Sequence, residues 1–422
     1  MTNAVSWQRC DDCGHEIGEL ERAERCPVCR GLLAVVHRVE IDGLRARLDA
    51  NGSSSGVWRF GELIMPTGVQ GAVSHPEGNT PLLERGDISR WTGVERLHLK
   101  HEGHNPTGSF KDRGMTVGVT QAKRIGARIV GCASTGNTSA SMASYAAHAG
   151  LAALVLVPDG QVALGKLTQA LAYGARTLLI EGDFDRCLAL MQEASESLGV
   201  YLLNSINPYR LEGQKTIVFE LLQQLRWDPP DWIALPAGNL GNTSAFGKAI
   251  EEAFAWGLID RKPRIAAIQA AGAAPFAHAF ARGFDQLIPV HAETVASAIK
   301  IGAPASYQRA VAAIRSTNGV VASVTDAEIV AAKIAIDRAG VGCEPGSAAS
   351  VAGVRQLRAN GTIGANERVV AVLTGHILKD TGILQRIHED GAGQFDGANP
   401  PVRVAATVGA IGEALDAMVR GG

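Results

Sequence analysis

Aromatic side chains are scarce in this chain, 5% of its 422 residues, and no apolar stretch is long enough to cross a bilayer. Runs such as Leu151-Ala-Ala-Leu-Val-Leu-Val157 suit one buried strand instead. An excess of either charge is also missing. The 40 basic residues against 42 acidic ones leave a net charge of −2, with no basic run, which argues against nucleic acid as a partner. The opening MTNAVSWQRCDD lacks a basic start followed by an apolar core, so no signal peptide is expected and a cytoplasmic location follows by default. Cysteine is sparse and lopsided: four of the seven fall within the first 29 residues, while Cys132, Cys187 and Cys343 are scattered.

What is present describes a globular protein of about two to three domains, 46% hydrophobic with 49 glycines for tight turns. The early cysteines form two CxxC pairs, Cys10/Cys13 and Cys26/Cys29, separated by twelve residues. In a cytosolic chain that spacing points to metal rather than disulfides. Four thiolates can surround one tetrahedral Zn²⁺, leaving no open position, so the expected role is structural.

After a Gly/Ser break at Asn51–Gly56 the chain alternates short β-branched runs with helical patterns. Ala127–Val130, Ala152–Val157, Ala175–Ile180, Trp232–Leu235, Arg264–Gln269 and Arg368–Leu373 read as buried strands. Ala140–Ala149 and Asp183–Leu198 carry apolar residues at helical spacing. Such alternation predicts an α/β fold of parallel sheets covered by helices, with ligands beyond the carboxyl ends of the strands.

Three turns at such places carry chemistry. In Asn105-Pro-Thr-Gly-Ser-Phe-Lys111-Asp-Arg-Gly114, Pro106 and Gly108 set a turn, and Ser109 is placed to cap a helix opening near Lys111. A lysine at a helix mouth feels the positive end of the dipole, which favours the neutral amine that Schiff-base chemistry needs. Ser134-Thr-Gly-Asn-Thr138 crowds polar side chains onto a helix start after a strand. Pro236-Ala-Gly-Asn-Leu-Gly-Asn242 offers glycines and a helix N-terminus, a phosphate cradle in physical terms.

In order, NPTGSFKDRG, STGNTS and PAGNLGN resemble three motifs of the tryptophan-synthase-β-like (fold type II) pyridoxal-phosphate family, and Thr374-Gly-His376 resembles a fourth. The likeness runs from about Asn79 to Asp380. It implies two open parallel-sheet α/β domains behind a zinc-ribbon-like N-terminal knuckle, with pyridoxal 5'-phosphate in the cleft between them. Residues 1–40 would be the knuckle, 41–101 with 208–390 the larger domain, 102–207 a smaller mobile domain and 391–422 a C-terminal extension. Lys111 would bear the cofactor and act as general base. Asn137 would bond the ring oxygen, Gly238, Asn239, Leu240, Gly241 and Asn242 would wrap the cofactor phosphate, and Thr374 would face the ring nitrogen.

Asn204-Ser-Ile-Asn-Pro-Tyr-Arg210 and Cys343-Glu-Pro-Gly-Ser347 resemble the threonine-forming branch of that family, which turns O-phosphohomoserine and water into threonine and phosphate. That likeness assigns Ser134, Thr138, Asn204 and Arg210 to the substrate phosphate and Thr135 to its carboxylate, in a lyase that is a homodimer. Ile377 and Gly346 depart from the usual pattern of that branch. Relatives that make cysteate from phosphoserine or dehydrate threonine remain open readings, as does a silent member serving as a binding module. The latter has no use for an intact Lys111.

Overall fold

The computed structural model describes residues 5–160, 164–390, 395 and 397–421. Contacts divide the chain into two units, Met1–Lys379 and Asp380–Gly422. The second holds short helical turns over 381–390 and a helix at Val408–Gly421; of the expected extension 391–422, residues 391–394, 396 and 422 lie outside the described residues.

The first unit begins with a small antiparallel sheet of β1 (Ser6–Cys10), β2 (Glu16–Gly18) and β3 (Leu33–His37), in the order β2-β1-β3. Next come β4 (Leu82–Glu84) and β5 (Arg96–His101), then β6 (Ile129–Ala133), β7 (Ala152–Pro158), β8 (Arg176–Ile180) and β9 (Val200–Leu202). The last strands are β10 (Trp232–Pro236), β11 (Arg264–Ala270), β12 (Val320–Val324) and β13 (Arg368–Leu373). Strands β6 to β9 form a parallel sheet ordered β8-β7-β6-β9. The others form a six-stranded sheet ordered β12-β11-β10-β13-β5-β4, parallel except for β4, which runs antiparallel to β5.

Both faces of the larger sheet are covered, which is why its strands read as unbroken apolar runs. In β13, Val370 and Val372 enter one core with Ile233 and Leu235, while Val369, Ala371 and Leu373 enter the opposite core with Trp232 and Ala234. Each such valine contributes about 1.5 kcal/mol or more by burial. Strand β8 differs from the expected buried strand. It is an edge, and Leu178 and Leu179 remain 42% and 56% exposed. Ahead of β4, Leu44, Leu48, Trp58, Phe60, Leu63 and Ile64 enter the core beside Phe219 and Ile233.

The helix Lys111–Arg124 lies between the two sheets. Val117 joins the core of the larger sheet, while Met115, Val119 and Ala122 join that of the smaller. It crosses the helix Pro208–Gln224 so closely that a Cβ on Gly213 would fall 1.8 Å from the Arg113 carbonyl oxygen. Only glycine permits that crossing. It brings the first turns of these two helices side by side.

Candidate active site

Lys111 is the first residue of its helix, and the Phe110 N–H before it donates to the Thr374 carbonyl at 3.0 Å. The expected Ser109 cap is not made. Ser109 is tied through its backbone to Gly375, and its buried hydroxyl has no partner. Asp112 fixes the turn instead, accepting from Thr107 N at 2.7 Å, Thr107 Oγ1 at 2.6 Å and Ser141 Oγ at 2.5 Å. The Lys111 amine is pushed down from 10.5 to about 7, by burial first and by the Arg210 charge second, with Glu344 opposing. Burial and a neighbouring cation therefore do what the sequence reading gave to the helix dipole.

Asn137 opens the helix Asn137–Ala149, three residues ahead of the Ala140–Ala149 pattern, and Ser134 to Thr138 all keep partial exposure. The Ser134 hydroxyl accepts from Gly136 N at 3.3 Å. Asn137 Nδ2 donates to Glu344 Oε2 at 2.9 Å. Thr374, which follows β13, donates to Glu344 Oε1 at 3.3 Å and lies 2.9 Å from Ser347 Oγ. Neither Glu344 nor Ser347 carries a local sequence signal for this place in the site. A glutamate before a proline at a helix start reads as a cap, yet Glu344 makes no capping bond and turns inward. Burial raises its carboxyl above the usual range.

The loop after β10 carries Gly238, Asn239 and Leu240, with Leu240 in the left-handed region at φ 63°, and Gly241 starts the helix Gly241–Ala255. Asn239 is spent on the loop itself, donating to Ser205 Oγ at 2.6 Å and accepting from Ala305 N at 2.7 Å. The Asn242 amide and the Thr243 hydroxyl are buried without a partner. Buried polar groups are normally bonded, so a helix N-terminus with two orphaned side chains fits a phosphate. Thr243 lies one residue beyond the PAGNLGN string and carries no sequence signal of its own.

Arg210 sits in the first turn of its helix with no accessible surface. Its Nη1 donates to the Leu203 carbonyl at 2.9 Å, while Nε and Nη2 are buried without partners. Burial pulls it down to about 10. A charge held this way is costly unless an anion joins it, and two free N–H edges match phosphate oxygens. Asn204 is engaged elsewhere, clasping the backbone of Ala133 through N–H···O contacts of 3.2 and 3.1 Å.

At the N-terminal sheet the thiol sulfurs of Cys10, Cys13, Cys26 and Cys29 all lie within 4.8 Å of one another. The Cys10–Cys29 and Cys13–Cys26 separations are 3.4 and 3.6 Å, near the ~3.8 Å edge of a tetrahedral zinc–thiolate site. The CxxC pairs Cys10/Cys13 and Cys26/Cys29 each span a turn closed from the residue four on, Gly14 N to Cys10 O and Arg30 N to Cys26 O.

The model of the family described as "Pyridoxal-phosphate dependent enzyme" matches residues 73–375. Threonine synthase of Methanocaldococcus jannaschii is 44% identical over 91% of this chain and 95% of its own length. That of Methanosarcina acetivorans is 45% identical over 96% and 98%. Among solved structures, threonine synthase from Escherichia coli superposes with a TM-score of 0.72 over 98% of this chain and all of its own, at 18% identity. Maize serine racemase reaches 0.64 over 81% of this chain and 99% of its own, at 20% identity; at such identities the likeness speaks for the fold. The chain belongs to the pyridoxal-phosphate dependent enzymes and, among them, to the threonine synthase family.

Proposed function

We propose that this chain converts O-phospho-L-homoserine and water into L-threonine and phosphate, by γ-elimination followed by β-addition of water, with pyridoxal 5'-phosphate on Lys111. The observation that carries the reading is Arg210, a fully buried guanidinium with two unpartnered edges, close enough to Lys111 for its charge to act there. A reaction on an amino acid without a phosphate ester would leave that charge without its counter-ion.

Each residue then has a task. Gly238, Asn239, Leu240, Gly241 and Asn242, helped by Thr243, would hold the cofactor phosphate through backbone N–H groups and orphaned side chains. Asn137 would address the ring oxygen and Thr374 the ring nitrogen. A hydroxyl there leaves the nitrogen largely unprotonated, where a carboxylate would charge it. Bound pyridoxal phosphate supplies the electron sink that acidifies the hydrogens of the attached amino acid.

Lys111, poised near neutrality at about 7, is suited to attach the cofactor and afterwards to move protons at Cα and Cβ. Ser134, Thr138 and Arg210 would grip the ester phosphate, and Thr135 the carboxylate. Asn204 would act through Ala133, whose backbone it holds, keeping the strand end and the following turn in place. Residues 102–207 would form the smaller domain, closing over the substrate and excluding water until the addition step. Zn²⁺ on the four N-terminal cysteines, a homodimeric assembly and a cytoplasmic place complete the proposal. No helix among the described residues is long and apolar enough to cross a membrane.

The test is phosphate release from O-phosphohomoserine, with phosphoserine and threonine as parallel substrates. Release from phosphohomoserine with threonine formed, absent in Lys111→Ala, is the expected result. Turnover of phosphoserine or threonine alone would move the assignment to the cysteate-forming or dehydrating relatives.

A further inference from the structure

One buried carboxyl bridges elements of the two parallel sheets. Asn137 begins a helix packed on the smaller sheet, and Thr374 follows the central strand β13 of the larger. Glu344 accepts from both, through Oε2 from Asn137 at 2.9 Å and through Oε1 from Thr374 at 3.3 Å. These are the two side chains assigned to the oxygen edge and the nitrogen edge of one ring.

The carboxyl is itself held firmly. Glu344 N donates to the Gly375 carbonyl at 3.1 Å, and its own carbonyl accepts from Ser347 N at 3.0 Å, with Pro345 fixing the helix start. Gly375 leaves room for the side chain, since a Cβ there would stand 2.5 Å from Glu344 Oε1. Charges facing the carboxyl come from Lys111 and Lys379. No bond to substrate is needed for Glu344 to matter.

We propose that Glu344 is a positioning residue that aims the Asn137 amide at the ring oxygen and holds Thr374 in place beside the ring nitrogen. This rests on the reading of Asn137 and Thr374 as ring contacts. An asparagine amide has two N–H bonds. Glu344 takes one, which orients the amide and leaves the other for the ring oxygen. Thr374 gives its single hydroxyl proton to the same carboxyl and stands 2.9 Å from Ser347 Oγ, which fixes where its side chain sits beside the nitrogen. Without Glu344 the amide rotates freely and donates to the ring oxygen only part of the time. Negative charge on that oxygen is then less well stabilised, and the proton shared with the neighbouring Lys111 nitrogen is held more tightly.

The experiment loads full-length wild type and variants with pyridoxal 5'-phosphate and follows the visible absorption against pH. Glu344→Gln keeps an acceptor for Asn137 while removing the carboxyl charge that favours a protonated Lys111 nitrogen, so it is the reference. Against it, Glu344→Ala raises the pH midpoint of the band by about one unit and binds the cofactor roughly tenfold more weakly. Asn137→Ala reproduces the shift, and adding Glu344→Ala to it moves the midpoint no further. Should the alanine variant not fold, Glu344→Leu fills the same volume and makes the same test. An equal midpoint in Glu344→Ala and Glu344→Gln, or a shift fully additive with that of Asn137→Ala, overturns the role of Glu344. Failure of wild type to form any Lys111-dependent band would instead overturn the cofactor-site assignment on which it rests.

Discussion

The buried Arg210 guanidinium, in the first turn of its helix, lies near enough to the Lys111 amine for its charge to join burial in bringing that amine from 10.5 down to about 7. The residue proposed to bind substrate phosphate thus also readies the amine.

Replacing Arg210 should therefore show two effects. Arg210→Ala is expected to lower kcat/KM for the phosphate ester by roughly a hundred- to a thousandfold, the worth of charge-assisted bonds in a buried site. Inhibition by inorganic phosphate should vanish with it. The Lys111 amine of the apoprotein should move back toward 10.5, read from the pH dependence of cofactor uptake. A variant still inhibited by phosphate would remove Arg210 from the phosphate site.

Lys111 also makes apoprotein stability depend on pH. Its folded value, about 7, lies below the usual 10.5, so between those values the unfolded chain carries a proton that the folded one has shed. The destabilising effect is complete below pH 7 and fades as pH rises toward 10.5. Lys111→Met apoprotein should accordingly be more stable than wild type by about 1–3 kcal/mol at pH 7, with the gap closing toward pH 10. Paired urea melts at the two pH values measure it. A gap that widens with pH contradicts the depressed amine.

The helix bearing Lys111 is anchored by a buried ion network. Arg113 Nε meets Glu102 Oε2 at 2.6 Å and Nη2 meets Glu220 Oε1 at 2.8 Å, while Lys100 Nζ meets the same Glu220 oxygen at 2.6 Å, all with fully buried side chains. Arg113→Ala leaves carboxylates buried without their partner and should cost about 3–5 kcal/mol in denaturant unfolding. Gly213→Ala, driven into the Arg113 carbonyl, should cost about 2–4 kcal/mol. An exposed control such as Arg90→Ala should change stability by less than about 0.5 kcal/mol.

Metal on the N-terminal cysteines should be felt in the catalytic helices. The Glu19 carbonyl between the two CxxC turns accepts from Tyr209 Oη at 2.6 Å and from Gln121 Nε2 at 2.7 Å, one on each helix. His37, ending β3, bonds buried Glu212 at 2.8 Å. Metal analysis should find one zinc per chain. Its removal by chelator, or Cys13→Ser, should lower the melting temperature by several degrees and speed proteolysis near the N-terminus. Equal melting with and without metal would mean that the knuckle holds without it.

The sequence alone determined the fold class, the strand after which each turn falls and the chemical candidates in those turns. Those signals are local: an apolar run, a glycine, a lysine at a helix start all act within a few residues of chain. Strand Arg368–Leu373 was legible to the residue because both its faces are buried and every position from Val369 onward is apolar. The strand over Arg176–Ile180 was legible as a strand but not as an exposed edge, because edge or centre depends on neighbours supplied by distant chain. The tertiary structure alone decided which polar groups were already satisfied. Asn204 and Asn239 look as free as Asn242 in the sequence, yet the first two are spent on Ala133 and on Ser205 with Ala305. Asn242 alone of the three keeps both ends of its amide unpartnered. Glu344 became visible only when Asn137, 207 residues away along the chain, was seen donating to it, since hydrogen-bond saturation is a property of space and not of sequence order.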